Sequence, residues 1–308
     1  MTSTLAETMA GIRGANYVPS TAASDTQFWD EFDEPTIERE LGLAEDLGLN
    51  SLRVFLQYLV FEDDPAAMVA KFDAFCAKAQ RHGLSVLPIF FDDCFGPEPT
   101  LGPYPDPIPD VHNSQWRASP GRTRMGLAHR PALRRYVEAF VGGFGQDDRV
   151  LAWEIYNEPK SEPPTVALQR DAFDWARRLS PRQPLTACWS GAYLSDVMNL
   201  HLYTSPSQKP EEVGRIIEST RSFELPVLVT EFLGRPDRGT LHETLPLFVE
   251  NDFGWYFWEL MIGKTQVDLP WDVDVKTHPD GVAYQGLLYP DGRPYDESEV
   301  ELIKSLAR

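Results

Sequence analysis

The chain has 308 residues and 34.8 kDa, 42% of them hydrophobic, which suits one large α/β domain with an ample core better than two domains. Lys and Arg number 28 against 47 Asp and Glu, a net charge of −19. So acidic a chain repels phosphate backbones and anionic membranes, so no nucleic-acid or membrane partner is expected, while neutral ligands such as sugars are unopposed. The cysteines, Cys76, Cys94 and Cys188, are odd in number and match no metal spacing, so neither a disulfide framework nor a metal site is implied. Residues 1–11 carry no basic start and no apolar run of signal-peptide length, and a cytoplasmic location is the expectation.

Taken in order, residues 12–18 read as a short strand ending at Asn16-Tyr17-Val18-Pro19. Residues 33–47 have helical apolar spacing and stop at Gly48. Residues 49–56 read as a buried strand carrying one charge, Arg53. The next helix opens at Asp64-Pro65 and places Met68, Phe72, Phe75, Cys76 and Ala79 on one face before Gly83. Residues 84–91 form a third strand that closes with Asp92-Asp93.

The alternation continues with a helix at 131–144, a strand at 150–156, a helix at 166–179, and strands at 184–189 and 196–203. A helix at 211–222, a strand at 226–231, a helix at 241–249, a strand at 253–258 and a helix at 297–307 complete it. Strands alternating with helical crossovers imply a parallel sheet, and eight of them close a single (β/α)8 TIM barrel over residues 1–308. No glycine-rich phosphate loop follows any strand, which opposes nucleotide binding, and no cofactor is expected.

Two connections are long. Residues 95–130, after the third strand, carry Tyr104, His112, Asn113 and Trp116; residues 263–295, after the eighth, carry Trp271, Asp272, Asp274 and Tyr284. Long ordered loops in compact domains are usually functional, so both are expected to wall a pocket.

Chemistry concentrates at strand ends. Trp153-Glu154-Ile155-Tyr156-Asn157-Glu158-Pro159 leaves the sheet at Pro159, which cannot donate to a ladder. Glu158 then sits on the carboxyl-terminal face, where barrels do chemistry. Strand seven is apolar and ends in Glu231. A carboxylate there needs a partner: it is a salt-bridge partner of Arg53, or a nucleophile that Arg53 keeps ionised.

A buried strand, an aromatic and Asn157-Glu158-Pro159 together resemble the acid/base strand of the clan A retaining glycoside hydrolases, the cellulase-like family 5 in particular. Glu231 lies three strands later, where that family carries its nucleophile. The resemblance implies two catalytic carboxyls about 5–5.5 Å apart, with Glu158 raised and protonated at rest and Glu231 ionised. It further implies that Arg53 supports the nucleophile and Asn157 contacts the sugar 2-hydroxyl. His201, in His201-Leu202-Tyr203, matches a residue that contacts the acid/base or substrate, and Tyr203 one that contacts the nucleophile. Trp258 matches the floor of the sugar position, its flat face suited to the C–H face of a pyranose.

One departure stands out: the family histidine at the third strand end is absent, and Asp92 or Asp93 is expected to point into the pocket instead. Asn16, Tyr17, Trp116 and Trp271 complete the candidate substrate contacts. The implied activity is a retaining, exo-acting β-glycosidase with a carbohydrate as its only expected partner, because two long loops wall a cleft into a pocket. An endo-acting glycanase of cellulase, mannanase or xylanase type is the alternative, followed by a sugar-binding barrel without catalysis.

Overall fold

The computed structural model describes residues 4–271, 276 and 278–306. Among them eight strands run parallel: β1 (Arg13–Asn16), β2 (Ser51–Phe55), β3 (Ser85–Asp92), β4 (Trp153–Asn157), β5 (Leu185–Thr186), β6 (Met198–Leu202), β7 (Val227–Phe232) and β8 (Gly254–Phe257). Their order is β5-β4-β3-β2-β1-β8-β7-β6. A parallel bridge between Cys188 and Asn199 joins the two ends, as does a 2.7 Å bond from Thr186 Oγ1 to the carbonyl of Val197. The result is a closed (β/α)8 barrel.

Local chemistry explains the elements. The helix Pro65–Arg81 is capped by Asp64, whose side chain accepts from the Ala67 amide, and its predicted apolar face is wholly buried. In β2 the alternating residues Ser51, Arg53 and Phe55 face the barrel interior. Ser51 Oγ lies 2.8 Å from the Tyr256 hydroxyl there. A Cβ on Gly14 would come within 2.3 Å of the Tyr256 ring, so glycine makes room for the tyrosine that fills the barrel floor.

Two features differ from the sequence expectation. β5 is only Leu185–Thr186, because the chain turns at Cys188 into a 3-10 helix, Trp189–Leu194. Three short helices, Leu5–Ala10, Asp25–Glu31 and Tyr58–Asp63, are too short to display an apolar stripe over several turns.

The described parts of the two long loops are sewn together. The Asn113 amide donates to the Thr265 carbonyl at 2.8 Å, and His112 Nδ1 lies 2.7 Å from the Leu269 carbonyl. Gln266 Nε2 donates to the carbonyls of Ile108 and Val111, each at 2.8 Å. The two loops thus form one wall over the carboxyl-terminal face. Asp272 and Asp274 lie outside the described residues. Among the described residues no helix is long and apolar enough to cross a membrane.

Candidate active site

Arg53 organises the centre of the barrel mouth, and it is completely buried. Its Nε and Nη2 donate to the two oxygens of Glu154 at 2.7 Å each. Nη1 donates to Glu231 Oε1 at 2.7 Å and to Asn16 Oδ1 at 2.8 Å. Nη2 also donates to Asn157 Oδ1 at 2.6 Å. Every N–H of the guanidinium is used, which is what a buried charge requires. Glu154 is the acid that the sequence analysis passes over. The signal was available: a carboxylate inside a buried strand has to be paired.

The two candidate catalytic carboxyls meet across this centre. Glu231 Oε2 accepts from the Tyr203 hydroxyl at 2.9 Å. His201 Nδ1 lies 2.7 Å from Glu158 Oε1 and 3.5 Å from Glu231 Oε2. One carboxylate oxygen of Glu158, one of Glu231 and one ring nitrogen of His201 lie within 4.8 Å of one another. Glu158 has φ 41°, a left-handed conformation uncommon for a non-glycine residue and frequent at functional turns. Its amide donates to Cys188 Sγ at 2.9 Å, so Cys188 anchors the turn.

Electrostatics separate the pair. Burial pushes both carboxyls up. At Glu158 the hydrogen bond and charge of His201 outweigh burial and hold the group below the ordinary glutamate range. At Glu231 burial prevails over the pull of His201 and Arg53, and the group lies above that range. Burial opposes the charged form of His201, yet Glu231 and Glu158 together raise it. The sequence predicts the elevated carboxyl at Glu158; the structure reverses the order, because the 2.7 Å contact with His201 dominates there. That contact requires a proton between the two residues.

A cavity of about 710 Å³ opens over these groups, lined by Asn157, Glu158, His201, Tyr203, Glu231, Trp116, Trp258 and Trp271 among others. Trp258 meets Phe55 and Trp116 edge-on, with centroids 5.8 and 5.7 Å apart, and Trp271 meets Tyr203 at 5.0 Å. Trp189 and Arg238 also line it, and the sequence analysis does not single them out as site residues.

Besides the buried Arg53, four candidates stand behind the lining instead. Asp92 is buried, with Oδ1 accepting from Asn157 Nδ2 at 2.8 Å and from the Cys94 amide at 2.9 Å. Its Oδ2 accepts from Trp116 Nε1 at 2.8 Å, and burial pushes its carboxyl up to about 7. Asp93 turns away and accepts from Thr165 Oγ1 at 2.6 Å. The expectation that one of the two faces the pocket is therefore corrected: Asp92 supports residues that do. Asn16 faces inward but is covered, holding Arg53 and donating to the Thr230 carbonyl at 2.8 Å. Tyr17 falls on the opposite face of its strand, its hydroxyl donating to Glu40 at 3.0 Å and its ring stacked on Phe75.

Glu158, His201 and Glu231 have the donor types of a cation site, as do Glu154, Cys188 and His201. In both sets a carboxylate is already held by Arg53, so a cation would have to compete with a buried guanidinium.

No family model matches the chain, and neither does any curated protein. Solved structures do. An exo-beta-1,4-mannosidase from Opitutaceae bacterium strain TAV5 superposes with a TM-score of 0.64 at 18% identity, over 95% of this chain and 58% of that one. The GH5_18 protein from Streptomyces cattleya in complex with GlcNAc gives 0.65 at 15%, over 95% and 78%. The endo-1,4-beta-D-mannanase from Thermotoga petrophila gives 0.58 at 15%, over 96% and 99%. The chain thus spans little more than half of the first of these structures. In fold it is a (β/α)8 barrel that resembles the family 5 glycoside hydrolases.

Proposed function

We propose that the chain is a retaining β-glycosidase, with Glu231 as nucleophile and Glu158 as acid/base, removing a terminal sugar from a short β-linked saccharide. The observation that carries this reading is that one oxygen of Glu158 and one of Glu231 lie within 4.8 Å of each other. Double displacement uses carboxyls about 5–5.5 Å apart, whereas inversion needs roughly 6.5–9.5 Å to admit a water.

The chemistry follows from the contacts. Arg53 and Tyr203 hold the Glu231 carboxylate, which attacks the anomeric carbon as the glycosidic C–O bond breaks. The proton between Glu158 and His201 passes to the leaving oxygen. Ester formation removes the charge of Glu231. Glu158 then takes a proton from water, the water oxygen attacks the anomeric carbon, and Glu231 leaves as carboxylate. Asn157 Nδ2 spends one hydrogen on Asp92 and has a second for a sugar hydroxyl. Trp258 supplies an apolar floor.

Terminal cleavage is favoured by the joined loops, both of which contribute residues to the cavity lining. β-Mannosides come first among substrates, since the neighbours include a β-mannosidase and a complex with Manb1-4GlcNAc. The test is turnover of a panel of nitrophenyl β-glycosides and β-1,4-linked oligosaccharides. Glu158→Ala is expected to regain activity with azide on substrates with good leaving groups, giving a β-configured azide. Absence of that rescue in a variant that still forms product removes Glu158 from its role. Internal cleavage of oligosaccharides in place of monosaccharide release would favour the endo-acting alternative.

A further inference from the structure

Buried polar atoms in folded proteins are paired, so an unpaired one in a cavity wall points to a ligand. Among the described residues, three cavity-lining side chains carry a buried polar atom without a partner: His201 Nε2, Asn113 Oδ1 and Gln285 Oε1. His201 belongs to the catalytic centre. Asn113 and Gln285 do not, and they are only 3% and 1% exposed. Both unpaired atoms are carboxamide oxygens, which can only accept.

The backbone fixes each of them. The Gln285 amide donates to the Val267 carbonyl at 3.1 Å, and Nε2 donates to the Leu233 carbonyl at 3.0 Å, which leaves Oε1 over. Gly286, with φ 79°, holds the turn beside it; a Cβ there would stand 2.4 Å from Ile262 Cγ1. Asn113 has φ 49°, a left-handed conformation that asparagine adopts readily, and its amide is tied to the Thr265 carbonyl. Both residues border Trp258. The Gly286 amide donates to the Trp258 carbonyl at 3.2 Å, and the Trp116 amide to the Asn113 carbonyl at 3.0 Å, with the Trp116 and Trp258 rings 5.7 Å apart. Leu233, which holds Gln285, follows Glu231 by two residues. The two acceptors thus come from the two joined loops and sit on the Trp258 side of the cavity, where the terminal sugar is proposed to lie.

We propose that Asn113 and Gln285 are specificity residues, each accepting a hydrogen bond from a hydroxyl of the terminal sugar other than the 2-hydroxyl assigned to Asn157. The assignment rests on the proposed glycosidase activity. A bare acceptor welcomes an O–H and rejects a carboxylate, a sulfate ester or an O-alkylated position, none of which has a hydrogen to give. The substrate class narrows accordingly to neutral glycosides whose terminal sugar is unsubstituted at the positions read.

The test uses the nitrophenyl β-glycoside that wild type turns over best and its 3-, 4- and 6-deoxy counterparts, each with wild type, Asn113→Gly and Gln285→Met. Glycine suits the left-handed backbone at 113, and methionine keeps the length of Gln285 without its oxygen. Wild type is expected to lose about tenfold or more in kcat/KM on at least one deoxy glycoside. Each variant is expected to lose a similar factor on the parent glycoside and to fall within about twofold of wild type on the deoxy glycoside that lacks its hydroxyl. A variant that loses the same factor on all four substrates reports structural damage and overturns the assignment of that residue. Wild type that turns over all three deoxy glycosides as fast as the parent overturns the proposal, whether or not the variants fold. Absence of turnover by wild type on the whole glycoside panel overturns the glycosidase reading and this inference with it.

Discussion

Arg53 and Glu231 meet through a single 2.7 Å bond from Nη1 to Oε1, while the other N–H groups of the same guanidinium are committed to Glu154, Asn16 and Asn157. Arg53 therefore cannot shift toward one partner without abandoning another. Glu231 is aimed by a group that is itself held from several strands.

Arg53→Lys keeps a charge but offers a point donor in place of a planar fork. It leaves buried acceptors on Glu154 and Asn157 unpaired. The expected outcome is a loss of stability of roughly 3–5 kcal/mol in denaturant unfolding, with kcat/KM reduced by about 100-fold or more. Glu154→Gln should instead release guanidinium charge toward Glu231 and move the acidic limb of the pH–rate profile to lower pH.

His201→Asn tests the shared proton. In the wild type His201 is raised by the two carboxylates, and Glu158 is lowered by His201. The basic limb of kcat/KM then reports loss of the last proton from the pair, above the ordinary histidine range. Without the imidazole the limb reports a carboxyl alone, so it should move to lower pH. Titration of kcat/KM between pH 4 and 9 checks the direction; a limb that stays in place would assign the proton elsewhere.

Asp92→Asn conserves shape but replaces one acceptor oxygen with a donor, against N–H groups on three sides. Asn157 and Trp116 should both lose their fixed orientation. The expected result is a fall of about tenfold in kcat/KM, with a smaller fall on a 2-deoxy glycoside, which cannot use Asn157 fully. Equal falls on both substrates would mean that Asp92 acts on stability alone.

Glu259 gives a pH-dependent stability term. It is buried, accepts from Thr265 Oγ1 at 2.5 Å, and burial pushes its carboxyl up to about 8. A group raised above its unfolded value contributes stability that is complete below the unfolded value and is lost as pH rises through the folded one. Glu259→Gln should therefore match wild type near pH 5 and be more stable by roughly 4 kcal/mol near pH 9 in thermal unfolding, about three pH units at about 1.4 kcal/mol each.

Much of this arrangement is legible in the residues. Helix periodicity and caps such as Asp64-Pro65 mark most of the crossovers, and apolar runs ending in polar residues locate Arg53, Glu158 and Glu231 at strand ends. The sequence is silent on which way a strand-end residue turns. Asn16 and Tyr17 are adjacent but face opposite sides, and Asp92 and Asp93 both turn away from the cavity, Asp92 toward Asn157 and Trp116 that line it. Glu154 is hidden beside the more conspicuous Glu158. Trp189 reads as the end of a strand because the turn at Cys188 depends on packing against Ala187 and Gln169, a tertiary constraint with no local signature.

The central claim is that Glu231 forms a covalent bond to the sugar while Glu158 manages the proton. Incubation with a 2-deoxy-2-fluoro β-glycoside bearing a good leaving group, followed by peptide mapping by mass spectrometry, tests it most directly. The account predicts one glycosyl adduct per chain, carried by the peptide containing Glu231 and abolished in Glu231→Gln. An adduct on any other residue, or hydrolysis with inverted configuration and no adduct, would contradict it.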